Sequence, residues 1–475
     1  MNGLLTFVAL LICGLIVLAV PSFVAQFSTD YGIVSVFDTA KAMLLCTGLA
    51  AIAGYAAHRQ GSEGPFLLRL FVSALLTRML VGTGIFIFKA QEFFGGDATT
   101  YDRYGFAQLK GWGGDRYYQT LVNTFVGEGQ GSGWGMVHMV AAVYALLGRN
   151  MLAVQFVNSV LGAATAIIIF LCAQQVFNSV RVARLAAIAV AFYPSLVLWS
   201  SQGLKDGPIV FFLALAILAT LKLGEKFNLK YIVILVCSLF SLLSLRFYVF
   251  YMLTVAIVGA FVLGMQKLTA TNFLRQFMIM VLLGLSLTYL GVTRYANVQL
   301  ESYVSLERVQ RSRADAALNA QSGFGKDVDV STTQGALSTI PVGLLYLLFA
   351  PFPWQLTSLR QSITLPEMII WWASFPLLVL GLWFSIKYRL RQISPILIFT
   401  IMLSLAYSVF QGNVGTAYRQ RAQLLVFYFI FVAVGYVLLL EKREERRRQE
   451  MLLKEQAVTA RISSVVPRGN PVPGE

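Results

Sequence analysis

Apolar runs of about 20 residues recur along the chain between short polar stretches, and each is long enough to cross the hydrocarbon layer of a bilayer. They fall at 3–26, 38–57, 66–89, 150–175, 185–200, 207–222, 231–245, 247–264, 276–293, 367–386, 394–410 and 422–440. The pattern predicts an all-α, polytopic integral membrane protein with about 12 transmembrane helices. Nothing outside these runs is long enough to hold a core of its own, so 1–440 reads as one transmembrane domain and 441–475 as a tail. A further apolar run, "PVGLLYLLFAPF" at 341–352, fits a re-entrant or interfacial segment. If it crossed fully, "KYRLRQ" and the tail would leave the side that holds the other short basic loops. Pro341, Pro351 and Pro353 suit irregular backbone buried at membrane depth.

Composition agrees: the 475 residues are 57% hydrophobic and 12% charged, with a mean hydropathy of +0.70. The N-terminal run lacks the basic start and the small-residue cleavage site of a signal peptide and reads as a membrane helix. Cys13, Cys46, Cys172 and Cys237 all lie in apolar segments without metal or redox spacing, as small hydrophobes do.

The formal net charge is +15. Much of it sits in short loops, with Arg181, Arg184, Lys222, Lys226, Lys230, Lys267, Arg275, Lys387, Arg389 and Arg391, and in the tail "EKREERRRQE". Juxtamembrane Lys and Arg stay cytoplasmic and favour anionic lipids, so the charge reports topology and membrane-lipid contact, not nucleic acid. Loops 90–149, 201–206, 294–337, 353–366 and 411–421 then face outward in a cell membrane, and they hold the polar clusters.

The 90–149 loop predicts two helical pieces, "DATTYDRYGFAQLK" after a Gly-Gly break and the short apolar "MVHMVAAVYALLG" in the interface, with flexible "GEGQGSGWG" between. In 294–337, "ANVQLESYVSLERVQRSRADAALNA" predicts an amphipathic surface helix.

Asp97 opens the first of these helices and has two readings: a helix cap, or a general base whose basicity rises beside apolar helices. Asp102 lies off its helical face and is at most supporting. In "SSQGLKDGP", Lys205 and Asp206 either anchor a helical hairpin or serve a site, Lys205 by holding a phosphate and Asp206 in support. Arg246, at a nearly loopless outer hairpin, is an ionisable group between two apolar runs and a natural anion contact. Arg419 and Arg421 in "GTAYRQRAQ" oppose the topological trend for cations, so a phosphate or an internal acid should compensate them. No HExxH, Walker or GxGxxG loop in its proper setting occurs, which argues against zinc proteolysis, ATP-driven pumping and dinucleotide chemistry. Two lone carboxylates among cations make a poor divalent site, so no metal is expected.

The stretch from "GGDATTYDRYG" through "LLGRNMLAVQFVNSVLG" to "FYPSLVLWSSQGLKDGP" resembles the GT-C glycosyltransferases of the protein-mannosyltransferase-like (family 39-like) group, most clearly over 90–225. The resemblance implies a GT-C-like fold with juxtamembrane helices in a large outer loop. It also implies a catalytic acid in that loop, matched by Asp97, and a polyprenyl-phosphate sugar as co-substrate with no other cofactor. The chain departs from that group in having two extra helices before the acid and no tandem acidic pair. The back half, with "FAPFPWQ" and "GNVGTAYRQRAQ", resembles membrane proteins of exopolysaccharide and O-antigen assembly, which implies a glycan or lipid-linked acceptor. The expected activity is inverting sugar transfer outside the cytoplasm. A polymerase or ligase using a polyprenyl-diphosphate oligosaccharide and a lipid-glycan flippase are the alternatives.

Overall fold

The computed structural model describes residues 36–127, 133–263, 270–292, 296, 305–320, 322–356 and 358–465. Helix α1 spans Val36–His58 and α2 Gly64–Ile87. Four helices follow in the large loop: α3 Gln91–Gly95, α4 Asp97–Trp112, α5 Arg116–Val126 and α6 Trp134–Leu147. Helix α7 is Met151–Phe177, α8 Val180–Phe192, α9 Pro194–Ser200, α10 Asp206–Glu225 and α11 Leu229–Leu263. The back half holds α12 Ala270–Tyr289, α13 Leu306–Asn319, α14 Thr333–Phe349, α15 Leu359–Ser362, α16 Leu365–Phe410 and α17 Val414–Val465.

Among the described residues seven helices (α1, α2, α7, α10, α11, α16 and α17) are long and apolar enough to cross a membrane, and the pair α8–α9, bent by 56°, makes an eighth if taken as one span. The difference from about twelve has a physical source. Helices α11 and α16 have 35 and 46 residues, far beyond one crossing, and each holds two expected runs joined at one non-helical residue, Arg246 and Arg389. The apolar part of α12, Phe273–Tyr289, is shorter, and the run at 3–26 lies outside the described residues.

The segment from 341, expected to be re-entrant or interfacial, forms the C-terminal half of one continuous helix, α14, which starts at Thr333 with the Thr332 hydroxyl accepting from Gly335 N and, at 17 residues, is shorter than the membrane-crossing helices. Pro341 is tolerated inside it. The large loop holds a further helix beyond the two expected pieces, α5, whose N-cap Asp115 accepts from the amides of Tyr117 and Tyr118. Helix α13 is not simply a surface helix, because Arg313 is buried and donates to Gln411 O.

The long α16 and α17 pack side by side at glycines. A Cβ on Gly381 would stand 1.8 Å from Phe431 O, and one on Gly435 2.1 Å from Leu377 O. Such backbone approach is how helices associate where lipid gives no hydrophobic drive between them. Helix α17 continues past the bundle, so the first part of the basic tail is an exposed helical extension.

The polar groups sort to two ends. At one end Arg184 meets Glu63 at 2.7 Å, Arg181 meets Glu444 at 3.1 Å, and Arg275 donates to Glu225 O at 3.0 Å. Helix α10 runs from Glu225 at that end back to Asp206 at the other, about 30 Å away for its length. Around Asp206 the remaining clusters converge.

Candidate active site

Asp206 begins α10 and is 2% exposed. A carboxylate so buried needs partners, and it has two arginines. Arg419 donates to its Oδ2 through Nε at 2.7 Å, and Arg246 Nη2 stands 3.5 Å from Oδ1. Arg246 gets there because the helix is interrupted at that residue, with extended backbone at φ −159° and ψ 84°. It is 5% exposed, and its Nη1 is buried without an acceptor.

Arg419, in the second turn of α17, has a second partner: its Nη1 donates to Asp97 Oδ2 at 2.7 Å. Asp97 is the first residue of α4, following Gly96 at the N-cap. Its side chain makes no capping hydrogen bond, so the cap reading gives way to an ion pair across 322 residues of sequence. Its carboxylate is 54% exposed, against 2% for Asp206.

Beside this cluster lies a cleft of about 810 Å³. Its charged lining is Asp97, Lys205, Arg246, Arg360 and Arg419, four cations against one carboxylate. Lys205 Nζ has no hydrogen-bond acceptor among the described residues. Burial first, then the nearby Arg246, pushes its ammonium from 10.5 down to about 8. Phe93, Phe94, Leu359 and Ile363 supply apolar wall, and Arg360 sits over the Phe93 ring at 5.3 Å while donating to Glu92 O at 3.3 Å. A space of this size with a few convergent charges is what a ligand site requires.

Two chosen residues are elsewhere. Asp102 is 3% exposed, accepts a hydrogen bond from Tyr144 at 2.5 Å and is paired with Arg149, which ties α4 to α6 and to the start of α7. It thereby holds the helix that presents Asp97. Arg421 is fully buried and does not line the cleft; Nη1 donates to Leu348 O and Ala350 O, each at 3.0 Å. These carbonyls are left over at the C-terminus of α14, and the guanidinium satisfies them. Arg360 is absent from the residues chosen on sequence, although its signal is the same as that of Arg419: a cation in an outward loop.

Residues 135–290, about a third of the chain, match the sequence model of the family described as dolichyl-phosphate-mannose-protein mannosyltransferase. The match contains Lys205, Asp206 and Arg246; Asp97 and Arg419 lie outside it. No curated protein sequence matches significantly. Among solved structures, the apo oligosaccharyltransferase of Archaeoglobus fulgidus is similar at a TM-score of 0.44 and 13% identity, over 81% of this chain and 52% of that one. The archaeal oligosaccharyltransferase AglB from Archaeoglobus fulgidus, in complex with an inhibitory peptide and a dolichol-phosphate, gives 0.40 and 13%, over 68% of this chain and 44% of that one. The chain spans about half the length of these structures. The likeness to that family is thus carried by residues 135–290, within an all-helical chain whose long apolar helices are those of a multi-pass membrane protein.

Proposed function

We propose that the protein transfers a sugar from a polyprenyl-phosphate donor to a glycan or lipid-linked acceptor on the non-cytoplasmic side of the membrane. One observation carries the reading: the cleft is lined by four cations and one carboxylate, and a buried nitrogen of Arg246 lacks an acceptor. Such a lining suits an anion, and the apolar wall at Phe93, Phe94, Leu359 and Ile363 suits a lipid-borne one. The side follows from charge, because the basic loops gather at the end of the bundle away from the cleft and would be cytoplasmic.

In this mechanism Lys205, Arg246, Arg360 and Arg419 hold the donor phosphate. Asp97, half exposed at the cleft wall, takes the proton of the acceptor hydroxyl. The acceptor oxygen bonds to the anomeric carbon as the bond from that carbon to the phosphate oxygen breaks, and the electron pair leaves on the phosphate, where the cations stabilise it. Attack from the face opposite the leaving group inverts the centre. The leaving group is already an anion, so no second carboxylic acid is needed, unlike in glycoside hydrolysis. Both carboxylates at the cleft are engaged by arginine, and the transfer is proposed to run without a metal.

The four cations also suit a diphosphate, so a polyprenyl-diphosphate oligosaccharide is the second donor class. The test is a transfer assay in membranes with polyprenyl-monophosphate and polyprenyl-diphosphate sugars as donors, in the presence and absence of a chelator. Transfer from the monophosphate, insensitive to chelation, is the expected result. Transfer from the diphosphate alone would replace the donor class, and transfer from neither would remove the reading.

A further inference from the structure

Arg78 is the one side chain in α2 whose placement the mechanism leaves unexplained. It is 1% exposed in the middle of a helix long enough to cross the membrane, and no acid pairs with it among the described residues. An ionisable group so placed calls for a reason.

The reason begins at Pro194. Proline has no N–H, and the chain bends by 56° between α8 and α9 there, so the carbonyls at the end of α8 lose their helical donors. Arg78 supplies them: Nη1 donates to Ala191 O at 2.7 Å and Nη2 to Val190 O at 3.3 Å. The third edge of the fork, Nε, donates to Ser200 Oγ at 2.8 Å. Ser200 is the last residue of α9 and leads directly into the loop that carries Lys205 and Asp206. The same loop is tied from α7 by Asn158, whose Nδ2 donates to Gln202 O at 2.6 Å and to Leu204 O at 2.8 Å. Gly162 makes room for the contact: a Cβ there would stand 2.5 Å from Ser200 Oγ and 2.8 Å from Arg78 Nε. A cavity of about 20 Å³ is bordered by Arg78, Ser200 and Asp206, so the clamp and the buried carboxylate line one small space.

We propose that Arg78 is a positioning residue for the donor site: through Ser200 it fixes the loop on which Lys205 and Asp206 are mounted, and through Asp206 it sets Arg246 and Arg419. This rests on the polyprenyl-phosphate reading. Arg78 touches neither the donor nor the reacting atoms, and its effect is confined to how well the phosphate is held.

The test measures the Kd for a polyprenyl monophosphate with purified full-length protein in nanodiscs, alongside thermal stability. Arg78→Lys keeps the charge but lacks the planar fork that reaches Ser200 Oγ, Val190 O, Ala191 O and its own helix's Ala74 O at once. It is expected to weaken binding about tenfold, and Ser200→Ala, which removes only the loop-end contact, about threefold. In transfer assays the donor KM rises in both while the acceptor KM stays unchanged. A purely structural role would lower stability or the active fraction and leave the Kd of the folded protein where it was, which would overturn the inference. If Arg78→Lys does not accumulate, Ser200→Ala decides by the same criterion. Wild-type protein that fails to bind polyprenyl monophosphate would remove the donor reading and this inference together. Wild-type binding with unchanged Kd in the variants removes the inference alone.

Discussion

Arg419 is shared between Asp97 and Asp206: one guanidinium nitrogen meets the half-exposed carboxylate at 2.7 Å, and another meets the buried one at 2.7 Å. The two carboxylates of the site therefore differ in environment while leaning on one cation. Only Asp97 faces the cleft, and this separation of roles is what mutation can test.

Asp97→Asn keeps the side chain's shape and removes its capacity to accept the acceptor's proton. The lost ion pair is partly exposed and contributes no more than about 1 kcal/mol. Transfer should fall by about 10²–10⁴ with folding intact, measured as turnover per folded molecule beside a thermal unfolding curve. Near-wild-type transfer would remove Asp97 from the role of base.

Asp206→Asn is expected to behave differently. It leaves Arg246 and Arg419 without their buried counter-charge, and breaking such a pair costs about 3–5 kcal/mol. The protein should lose thermal stability and accumulate poorly, with weakened donor binding in what remains. A stable but inactive Asp206→Asn, together with an active Asp97→Asn, would transfer the base assignment to Asp206.

Lys205 gives the site a dependence on pH. Its ammonium, lowered to about 8 by burial, loses its proton as pH rises through that value, so the phosphate contact is present below pH 8 and lost above it. A bound phosphate favours the charged form and shifts the transition upward. Donor kcat/KM should therefore fall above pH 8 while kcat holds to higher pH, since the first reports the free enzyme and the second the complex. Lys205→Arg should flatten that limb, and a wild-type kcat/KM that is flat from pH 7 to 9 would contradict the role.

Arg421 is the contrasting arginine. Arg421→Ala strips the end of α14 of the donor that satisfies Leu348 O and Ala350 O, and buried groups left unpaired cost about 1–3 kcal/mol each. Thermal stability should drop while the donor KM of the folded fraction stays at the wild-type value. A raised donor KM in stable protein would return Arg421 to the phosphate site.

Much of this was legible in the sequence because membrane helices announce themselves by length and apolarity. Asp97, Lys205, Arg246 and Arg419 were legible for a related reason: charge beside long apolar runs is costly and seldom without purpose. What could not be read was pairing. Arg419 and Arg421 stand two residues apart in one helix and share every sequence argument, yet one turns to Asp206 and the other to the carbonyls of α14. Sequence also gave no sign that Asp102 would be committed to Tyr144 and Arg149, partners about 40 and more positions away. Helix α5 was legible too, since Tyr118, Leu121, Val122, Phe125 and Val126 recur at helical spacing behind an N-cap at Asp115, but the run is only 11 residues long and sits between glycines.

The cation excess of the cleft has a consequence after chemistry as well as before it. In the proposed reaction a sugar phosphodiester would enter with one negative charge, but the spent carrier would be a monoester with about −1.5 to −2 at neutral pH. Four cations that welcome the first will cling to the second, so carrier release should pace the cycle. Turnover would then show a burst followed by a slower steady rate, and added polyprenyl phosphate would compete with donor at concentrations below the donor's own KM. The enzyme would run at the speed at which its surroundings clear the used carrier, and the same arginines that make the leaving group leave would make it linger.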